Sequence, residues 1–478
     1  MYCAQLGGFA PPSVRKVLRS RNARSWKPKT PHFNHSIRGH ATSTVGSTAT
    51  DLFHWLEDQG AKDLMVEVQS AEVGGRTIDR TVTKQAVKPG EVVLRIPSHA
   101  VVTLDRVFQD ASLAELLTTN KLSELACLTL YMMYEKKQGT ESFWHPYIRE
   151  LDNQRARGQQ GVESPILWPE EEVERLFAGS PLLPELKSRV EGIKKEYQEC
   201  DTVWYLAGSL FDKYPYDIPT EAFSEQLFMQ AFTAIQACVV HLQGVALSQR
   251  FALVPLGPPL TSYSSTSKAM LQYNPNTKSV DLVADREYKA GELISAWCGP
   301  QTNKRLLINY GIVDENNPYD WLQIKIRVPN SDPLFQAKRS VLMENGLSTQ
   351  EAFKLQRGRP IPKMLLPYMR VIYETDPAEM DKLTAMEGVG PRESEGAILH
   401  QVASVLQGKL DNYRTTSEQD DETIASSSNP REVVAAKLLH IEKEILNSAL
   451  DEILAKPGAP ERSSLGLEDG KQYPVDLS

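Results

Sequence analysis

The chain has 478 residues, of which 41% are hydrophobic and 24% are charged. This composition excludes a fibrous or disordered protein and predicts two or three packed domains. The formal charge is −8, but residues 1–50 hold eight basic residues and no acidic one, which leaves 45 basic against 61 acidic side chains in the remaining body. Such an acidic body disfavours nucleic-acid binding as the main activity, because each phosphate contact requires a cation.

Residues 1–50 have the composition of an organelle transit peptide. They are rich in Arg, Lys, Ser and Thr and lack Asp and Glu, which is typical of such leaders. The predicted location is therefore the plastid (the chloroplast stroma), with the mitochondrion as the alternative. A disordered basic tail on a nuclear or cytosolic protein is the other interpretation of the same composition.

The sequence predicts neither a membrane span nor a metal site. The longest charge-free stretch, residues 226–249, contains several Gln and His241, which are expensive in hydrocarbon, so it predicts a buried core helix. No two of the five Cys lie within four positions of each other, and the His residues lack ligand spacing, which argues against zinc and redox motifs. Nucleotide-binding, serine-hydrolase and zinc-protease signatures are absent from the sequence.

In chain order, the apolar pattern predicts strands, helices, strands and helices again. Short apolar runs predict strands within residues 51–105, and helical periodicity follows over about 107–249. More strands are predicted near 251–256, 280–284, 292–297 and 320–328, and none beyond Ser331. The clearest predicted helix ends before Pro457. It has an apolar residue every three or four positions on one face. These residues are Val434, Leu438, Ile441, Ile445 and Ala449.

Several sequence blocks occur in the order found in a known family. The blocks are residues 88–97, 142–148, 164–168, 289–294, 299–307, 309–313, 317–320, 412–416 and 442–446. They resemble a SET domain with a helical insert, followed by the helical substrate-binding domain of the Rubisco large-subunit methyltransferase-like proteins of plant plastids. The resemblance covers about residues 51–455.

This resemblance implies an α+β fold with four segments. The leader spans residues 1–50, and the SET domain of short strands spans 51–325 with its helical insert at about 107–249. An all-α substrate-binding domain covers 326–456, and a flexible tail covers 457–478. The family's activity is protein-lysine N-methylation with S-adenosylmethionine, in which a neutral, desolvated lysine must align with the methyl group.

The implied cofactor-binding residues are Gly75, Arg76, Thr261 and Ser262, and their surroundings depart from the family pattern. Thr77 stands where the second glycine of a G-x-G turn is usual, and an ungapped count places Ile78-Asp79-Arg80 there instead. Downstream, Pro258, Thr261 and Ser262 replace the family's Asp, Asn and His, and Pro258-Pro259 removes two backbone donors. Ala237-Cys238 replaces a Ser-Arg pair.

Tyr310 is the candidate catalytic residue, because the resemblance implies that its hydroxyl orients the acceptor amine. A core aromatic kept for packing is the alternative. Cys298, which replaces a Tyr, and Trp321 are the candidate residues of the substrate channel, although Trp321 also suits plain core. Thr261 and Ser262 also suit an ordinary turn.

Glu442 and Lys443 are predicted to lie on a solvated helix face.

Two functions follow from the altered cofactor motifs. The favoured hypothesis is a client-binding protein of the plastid in which methyl transfer has lapsed, because the departures concentrate at the cofactor positions. The alternative is an active protein-lysine methyltransferase with a divergent pocket, since backbone contacts can persist without particular side chains. Both predict a protein partner that presents a lysine or a bound peptide segment, and neither requires nucleic acid or a membrane.

Overall fold

A computed structural model describes residues 45–62, 64–109, 122–154, 158–210, 224–383, 395–465 and 475–476. Most of the basic leader predicted at residues 1–50 lies outside these described residues. The described residues belong to one compact unit, Val45–Ser478. No helix in this part of the chain is long and apolar enough to span a membrane.

The unit begins with a helix and a group of short strands. These elements are α1 (Val45–Asp58), β1 (Val66–Val73), β2 (Arg76–Thr83), β3 (Val92–Pro97) and β4 (Val102–Thr103). β1 and β2 form an antiparallel hairpin in which Val73 pairs with Arg76. Its two turn residues, Gly74 and Gly75, both have positive φ, as a two-residue hairpin loop requires.

A run of helices follows, as the periodicity predicts. It comprises α2 (Leu104–Val107), α3 (Glu124–Gln138), α4 (His145–Gln154), α5 (Glu170–Leu176), α6 (Leu182–Leu210) and α7 (Glu225–Cys238). The helix predicted over residues 226–249 is shorter than expected, because it ends at Cys238 and the chain continues as a strand. β-branched Val239 and Val240 favour that change.

The second group of strands completes the sheets. These strands are β5 (Val239–His241), β6 (Phe251–Leu253), β7 (Ser262–Ser264), β8 (Leu271–Asn274), β9 (Ser279–Val283) and β10 (Ser295–Trp297). β9 pairs with β3 and β8, β6 pairs with β4 and β5, and β10 runs parallel to β7. Strands that precede the helical run therefore pair with strands that follow it.

The chain then alternates helices with two further strands. These elements are α8 (Asn303–Tyr310), β11 (Trp321–Arg327), α9 (Phe335–Glu344), β12 (Gln350–Gln356), α10 (Leu365–Tyr373), α11 (Pro377–Met380), α12 (Glu395–Asp411), α13 (Ser417–Ser426), α14 (Pro430–Leu454) and β13 (Val475–Asp476). β11 pairs antiparallel with β12 on one side and with β13 on the other. The prediction that no strand follows Ser331 is therefore wrong.

Helix α14 confirms the predicted apolar stripe. Asn429 caps it by accepting from the backbone N–H of Arg431, and Pro430 occupies the first helical position, where its missing N–H is not needed. Glu442 and Lys443 are 2% and 3% exposed, so their predicted solvated position is wrong. Glu442 accepts a hydrogen bond from the Tyr413 hydroxyl, and Lys443 pairs with Asp420. The interior therefore contains an ion pair.

Candidate functional site

Tyr310, the candidate catalytic residue, is the last residue of α8 and has its hydroxyl in a polar contact. The Gln301 Nε2 donates to the Tyr310 hydroxyl at 3.2 Å and to the Cys298 carbonyl at 2.6 Å. Asn309 donates to the Gln301 Oε1 at 3.1 Å. Burial raises the pKa of Tyr310, and hydrogen bonds from Gln301 and Tyr263 oppose the rise, so the phenol is neutral at physiological pH.

Tyr263 and Cys298 complete the surroundings of Tyr310. The rings of Tyr263 and Tyr310 lie 4.5 Å apart between centroids, tilted by 44°. Both rings pack against a small apolar cluster of Cys298, Leu306 and Ile312. Burial raises the pKa of the Cys298 thiol to about 12, so this side chain is a neutral apolar neighbour and not a nucleophile.

The start of α8 is held by buried polar contacts, which fix Gln301 as well. The Asp320 carboxylate accepts from the Asn303 backbone N–H at 3.0 Å and from its side-chain amide at 2.7 Å. Asn317 donates to the Gln301 carbonyl at 2.8 Å. At the other end, Gly311 has φ +68, and a Cβ there would lie 2.4 Å from the Val162 carbonyl, so only glycine fits beside Tyr310.

Thr261 and Ser262, two of the implied cofactor residues, belong to a tight turn and the strand after it. Thr261 is fully buried, and its hydroxyl donates to the Leu256 carbonyl at 2.6 Å. The Ser262 backbone N–H donates to the Ile294 carbonyl at 3.1 Å. The hydroxyl hydrogen of Thr261 therefore closes the turn and is not directed at a ligand.

Gly75 and Arg76, the other two implied cofactor residues, lie at the tip of the β1–β2 hairpin. The Arg76 guanidinium forms an ion pair with Glu163 at 2.9 Å and also donates to the Gly161 carbonyl at 3.2 Å. Glu163 in turn pairs with Arg431 at the start of α14. Arg76 thus joins the hairpin to the helical insert, which itself contacts the C-terminal helices.

The structure separates these two pairs of residues. The turn at Thr261 adjoins the far end of β2, where the Thr81 N–H donates to the Leu260 carbonyl at 2.9 Å. Arg76 and Thr81 are five residues apart on one strand, a distance of about 16 Å at the usual rise per residue. The structure does bring Cys298 and Tyr310 together, in the cluster that includes Tyr263.

Trp321, the second candidate channel residue, lines a different feature from Tyr310. It is half-buried at the start of β11, with the Lys354 Nζ 4.5 Å from its ring centroid. It borders a cavity of about 370 Å³ between α8, β11 and the C-terminal helices, together with Lys304 and Tyr413. A neighbouring cavity of about 460 Å³ shares Glu185 and Arg305 with the first and reaches Gln301.

Sequence reasoning missed Gln301 and Tyr263, although both adjoin Tyr310. Tyr263 directly follows the altered Thr261-Ser262 pair, and Gln301 stands three positions after Cys298. The available signal was that residues departing from the family pattern, Thr261-Ser262 and Cys298, lie close to Tyr263 and Gln301 in the sequence. The spacing of Gln301 and Tyr263 in the sequence does not predict their contact with Tyr310, because both approach α8 only through the β7–β10 pairing. No group of residues that could hold a metal occurs among the described residues.

Comparisons with known proteins show which folds this structure resembles. Residues 329–446 match the family model for the Rubisco LSMT substrate-binding domain. The SET domain of LSMT bound to lysine and AdoHcy matches with a TM-score of 0.66 at 19% identity, covering 86% of this chain and 92% of that one. The chain therefore has the fold of the LSMT SET domain, and its residues 329–446 match the Rubisco LSMT substrate-binding domain. The α+β fold expected from the sequence is thereby confirmed.

Other relatives extend the comparison. Rubisco LSMT bound to AdoMet matches with a TM-score of 0.65 at 20% identity, over 85% of this chain and 91% of that one. The actin-histidine N-methyltransferase of Xenopus tropicalis is 25% identical over 421 residues, covering 84% of this chain and 69% of the relative. The Mus musculus enzyme of the same name is 23% identical over 424 residues, covering 84% and 67%.

Two of the four implied cofactor residues, Arg76 and Thr261, direct their side chains to contacts within the chain and not to a cofactor. A cofactor with a carboxylate, an ammonium and an adenine needs donors and acceptors that face its pocket. In this chain Arg76 pairs with Glu163, and the Thr261 hydroxyl donates to a backbone carbonyl. Pro258 and Pro259 have no N–H to offer.

Proposed function

We propose that this SET-domain protein binds a protein client of the plastid and that methyl transfer is not its activity. The observation that carries the proposal is that the side chains of two of the four implied cofactor residues, Arg76 and Thr261, are engaged in contacts within the chain. Arg76 and Thr261 serve the fold, and Arg76 lies about 16 Å along β2 from Thr81, the residue that bonds to the Thr261 turn. The client site is the cavity between β11 and the C-terminal helices, which Trp321 and Tyr413 border.

Calorimetric titration of S-adenosylmethionine into the full chain tests the first half of this proposal. A chain that is folded by circular dichroism is expected to give no saturable heat. The loss of several charge-assisted contacts, each worth about 1.5–3 kcal/mol, weakens cofactor affinity by powers of ten. Saturable binding in the micromolar range would contradict the proposal.

Capture of a client from plastid extract tests the second half. Wild type and Tyr310→Phe are expected to retain the same protein equally well, because a binding role does not need the Tyr310 hydroxyl. A client that acquires labelled methyl groups from wild type, and not from Tyr310→Phe, would identify an enzyme instead.

The second candidate function is an active protein methyltransferase with a divergent cofactor pocket. Its specific support is Tyr310, whose phenol is neutral and accepts from Gln301 at 3.2 Å, which leaves its own proton available for donation. The relatives include actin-histidine N-methyltransferases and an LSMT bound to lysine, so lysine and histidine are the acceptors to examine. Mass spectrometry of the client after incubation with S-adenosylmethionine would identify the modified residue.

A further inference from the structure

One wall of the 370 Å³ cavity is the outer face of β11. Along this strand Leu322, Ile324 and Ile326 are buried, while Trp321, Gln323 and Lys325 are half-buried. Alternate residues of a strand share one face, and Trp321, Gln323 and Lys325 all line the cavity. The wall therefore presents an indole, an amide and an ammonium group in a row.

The other walls add further cations. Lys304 and Arg305 come from the first turn of α8, and Lys409 comes from the last turn of α12. We call the cavity lined by these three residues and Lys325 the cationic cleft. Among the described residues that line it, Glu185 is the one acid. Lys304 pairs with Glu185 at 2.7 Å, and Arg305 approaches the same carboxylate at 3.7 Å.

This excess of positive charge contrasts with the rest of the molecule. Outside residues 1–50 the chain carries 45 basic against 61 acidic side chains, yet among the described residues that line the cleft four are basic and one is acidic. Lys304, Lys325 and Lys409 are half-buried, so water screens their field less than it screens exposed charges. Pro181, Pro184 and Leu446 supply apolar surface beside them.

We propose that the cationic cleft binds an acidic segment of the client, with carboxylates opposite the lysines and an apolar residue against Trp321 and Tyr413. This inference rests on the proposed function, because it specifies the chemistry of the client. A cavity of about 370 Å³ lies in the size range of specific ligand pockets. The neighbouring cavity that reaches Gln301 extends the client path from the cleft toward Tyr310.

A matched pair of peptides tests the proposal on the full chain. The probe is a fluorescein-labelled peptide of sequence Asp-Glu-Leu-Asp-Glu-Leu, and its control has Asn and Gln in place of Asp and Glu. Fluorescence anisotropy is expected to show the acidic peptide binding at least about tenfold more tightly, with the difference shrinking at about 0.5 M salt as screening increases. Equal binding of the two peptides would overturn the proposal.

Substitutions locate the binding site. Lys325→Gln combined with Lys409→Gln is expected to weaken binding of the acidic peptide about tenfold, because two opposing charges are lost. Lys363→Gln is the matched control, since Lys363 is an exposed lysine between β12 and α10 outside the cleft lining. Unchanged affinity in the double variant would refute the assignment, and the peptide pair on wild type decides the matter if that variant does not fold.

The outcomes also separate this inference from the proposed function. If the double variant captures the plastid client as well as wild type does, the cleft assignment fails while a client-binding role stands. If S-adenosylmethionine binds and the client is methylated, but the acidic peptide still depends on Lys325 and Lys409, the proposed function fails while the cleft assignment stands.

Discussion

Lys443 illustrates how one residue can contradict its sequence context. Its ammonium group lies 2.5 Å from the Asp420 carboxylate and 2.9 Å from the Thr415 hydroxyl, with Lys443 3% and Asp420 1% exposed. A helix position with alternating charges usually faces water, but α14 packs against α12, α13, β11 and β12. Burial on several sides leaves no solvated face for this pair, so the charges must neutralise each other.

Lys443→Met is therefore expected to destabilise the protein by about 3–5 kcal/mol, because the Asp420 carboxylate would remain buried without its counter-charge. Urea unfolding measures the loss. Lys136→Met is the matched control, since the Lys136–Asp152 pair at 2.6 Å is more than half exposed, and its removal should change stability by at most about 0.5–1 kcal/mol. Similar effects of the two substitutions would show that Lys443–Asp420 is not a dry ion pair.

Glu442, the neighbour of Lys443, is the second buried charge that the sequence did not reveal. Its carboxylate accepts from the Tyr413 hydroxyl at 3.0 Å, while burial raises the pKa of Glu442 from 4.5 to about 7. A carboxyl with a raised pKa in the folded state favours folding when protonated. Its contribution to stability is therefore complete below about pH 4 and is lost as the pH rises through 7.

Glu442→Gln removes this titration while keeping an acceptor for Tyr413. Relative to wild type, the free energy of unfolding of the variant is expected to rise by about 2–3 kcal/mol between pH 5 and pH 8. Urea titrations at several pH values measure the difference, in which the titrations shared by both proteins cancel. Parallel stability curves across this window would mean that Glu442 has an ordinary pKa.

The β1–β2 hairpin provides a test at the scale of an element, because its two turn glycines have different surroundings. Gly74 has φ +56, and a Cβ there would lie 2.8 Å from the Pro430 Cβ. Gly75 has φ +72, and no atom of the described residues outside its own chain neighbours lies within 4 Å of an added Cβ. The hairpin tip therefore contacts the start of α14 through Gly74.

Gly75→Ala is expected to cost about 1 kcal/mol, from left-handed backbone strain alone. Gly74→Ala should lose at least about 1 kcal/mol more, because the hairpin or α14 must also shift to relieve the overlap. Urea unfolding of the two variants gives the comparison. Equal losses would indicate that the hairpin does not pack against Pro430.

The elements also show which patterns the sequence encodes. Helix α14 could be predicted because its apolar residues repeat at the helical period, and β3 because a β-branched apolar run follows Pro89-Gly90. Strand β12 could not, since Gln350–Gln356 is composed mainly of helix-forming residues. Its strand conformation comes from pairing with β11 along seven residues, and such tertiary pairing overrides local propensity.

The candidate site was predicted only in part, for a related reason. Tyr310 and Cys298 could be named from their motif blocks, and they lie together in the structure. The contact of Gln301 with Tyr310 and the ion pair of Arg76 with Glu163 depend on segments brought together by folding. Arg76 and Glu163 are separated by 87 positions, so no local pattern relates them.

At the scale of the whole molecule, charged contacts connect the helical insert to the C-terminal helices. Arg431 pairs with Glu163 and with Glu172, the latter at 2.7 Å, and its guanidinium lies 5.3 Å from the Trp168 ring centroid. Arg175 pairs with Glu432 at 3.1 Å. Arg431 is 19% exposed and Glu172 is 18% exposed, so the loss of Arg431 would remove the cation that pairs with the Glu172 carboxylate and leave Glu163 with Arg76 as its ion-pair partner.

Unfolding of the SET part and of the C-terminal helices can be followed separately, because all seven Trp residues lie at or before position 321. Trp fluorescence therefore reports the SET part, whereas circular dichroism at 222 nm also reports the C-terminal helices. In wild type the two urea transitions are expected to coincide, since the interdomain contacts couple the parts into one cooperative unit.

Arg431→Met is expected to separate these transitions, with the circular dichroism midpoint falling below the fluorescence midpoint. The C-terminal helices lose their pairs with Glu163 and Glu172, while the SET core keeps its own packing. Arg462→Met is the matched control, because Arg462 pairs with Asp451 inside the C-terminal part and is about half exposed. If the transitions still coincide in Arg431→Met, the apolar packing between the parts, rather than the Arg431 ion pairs, makes the molecule unfold as one unit.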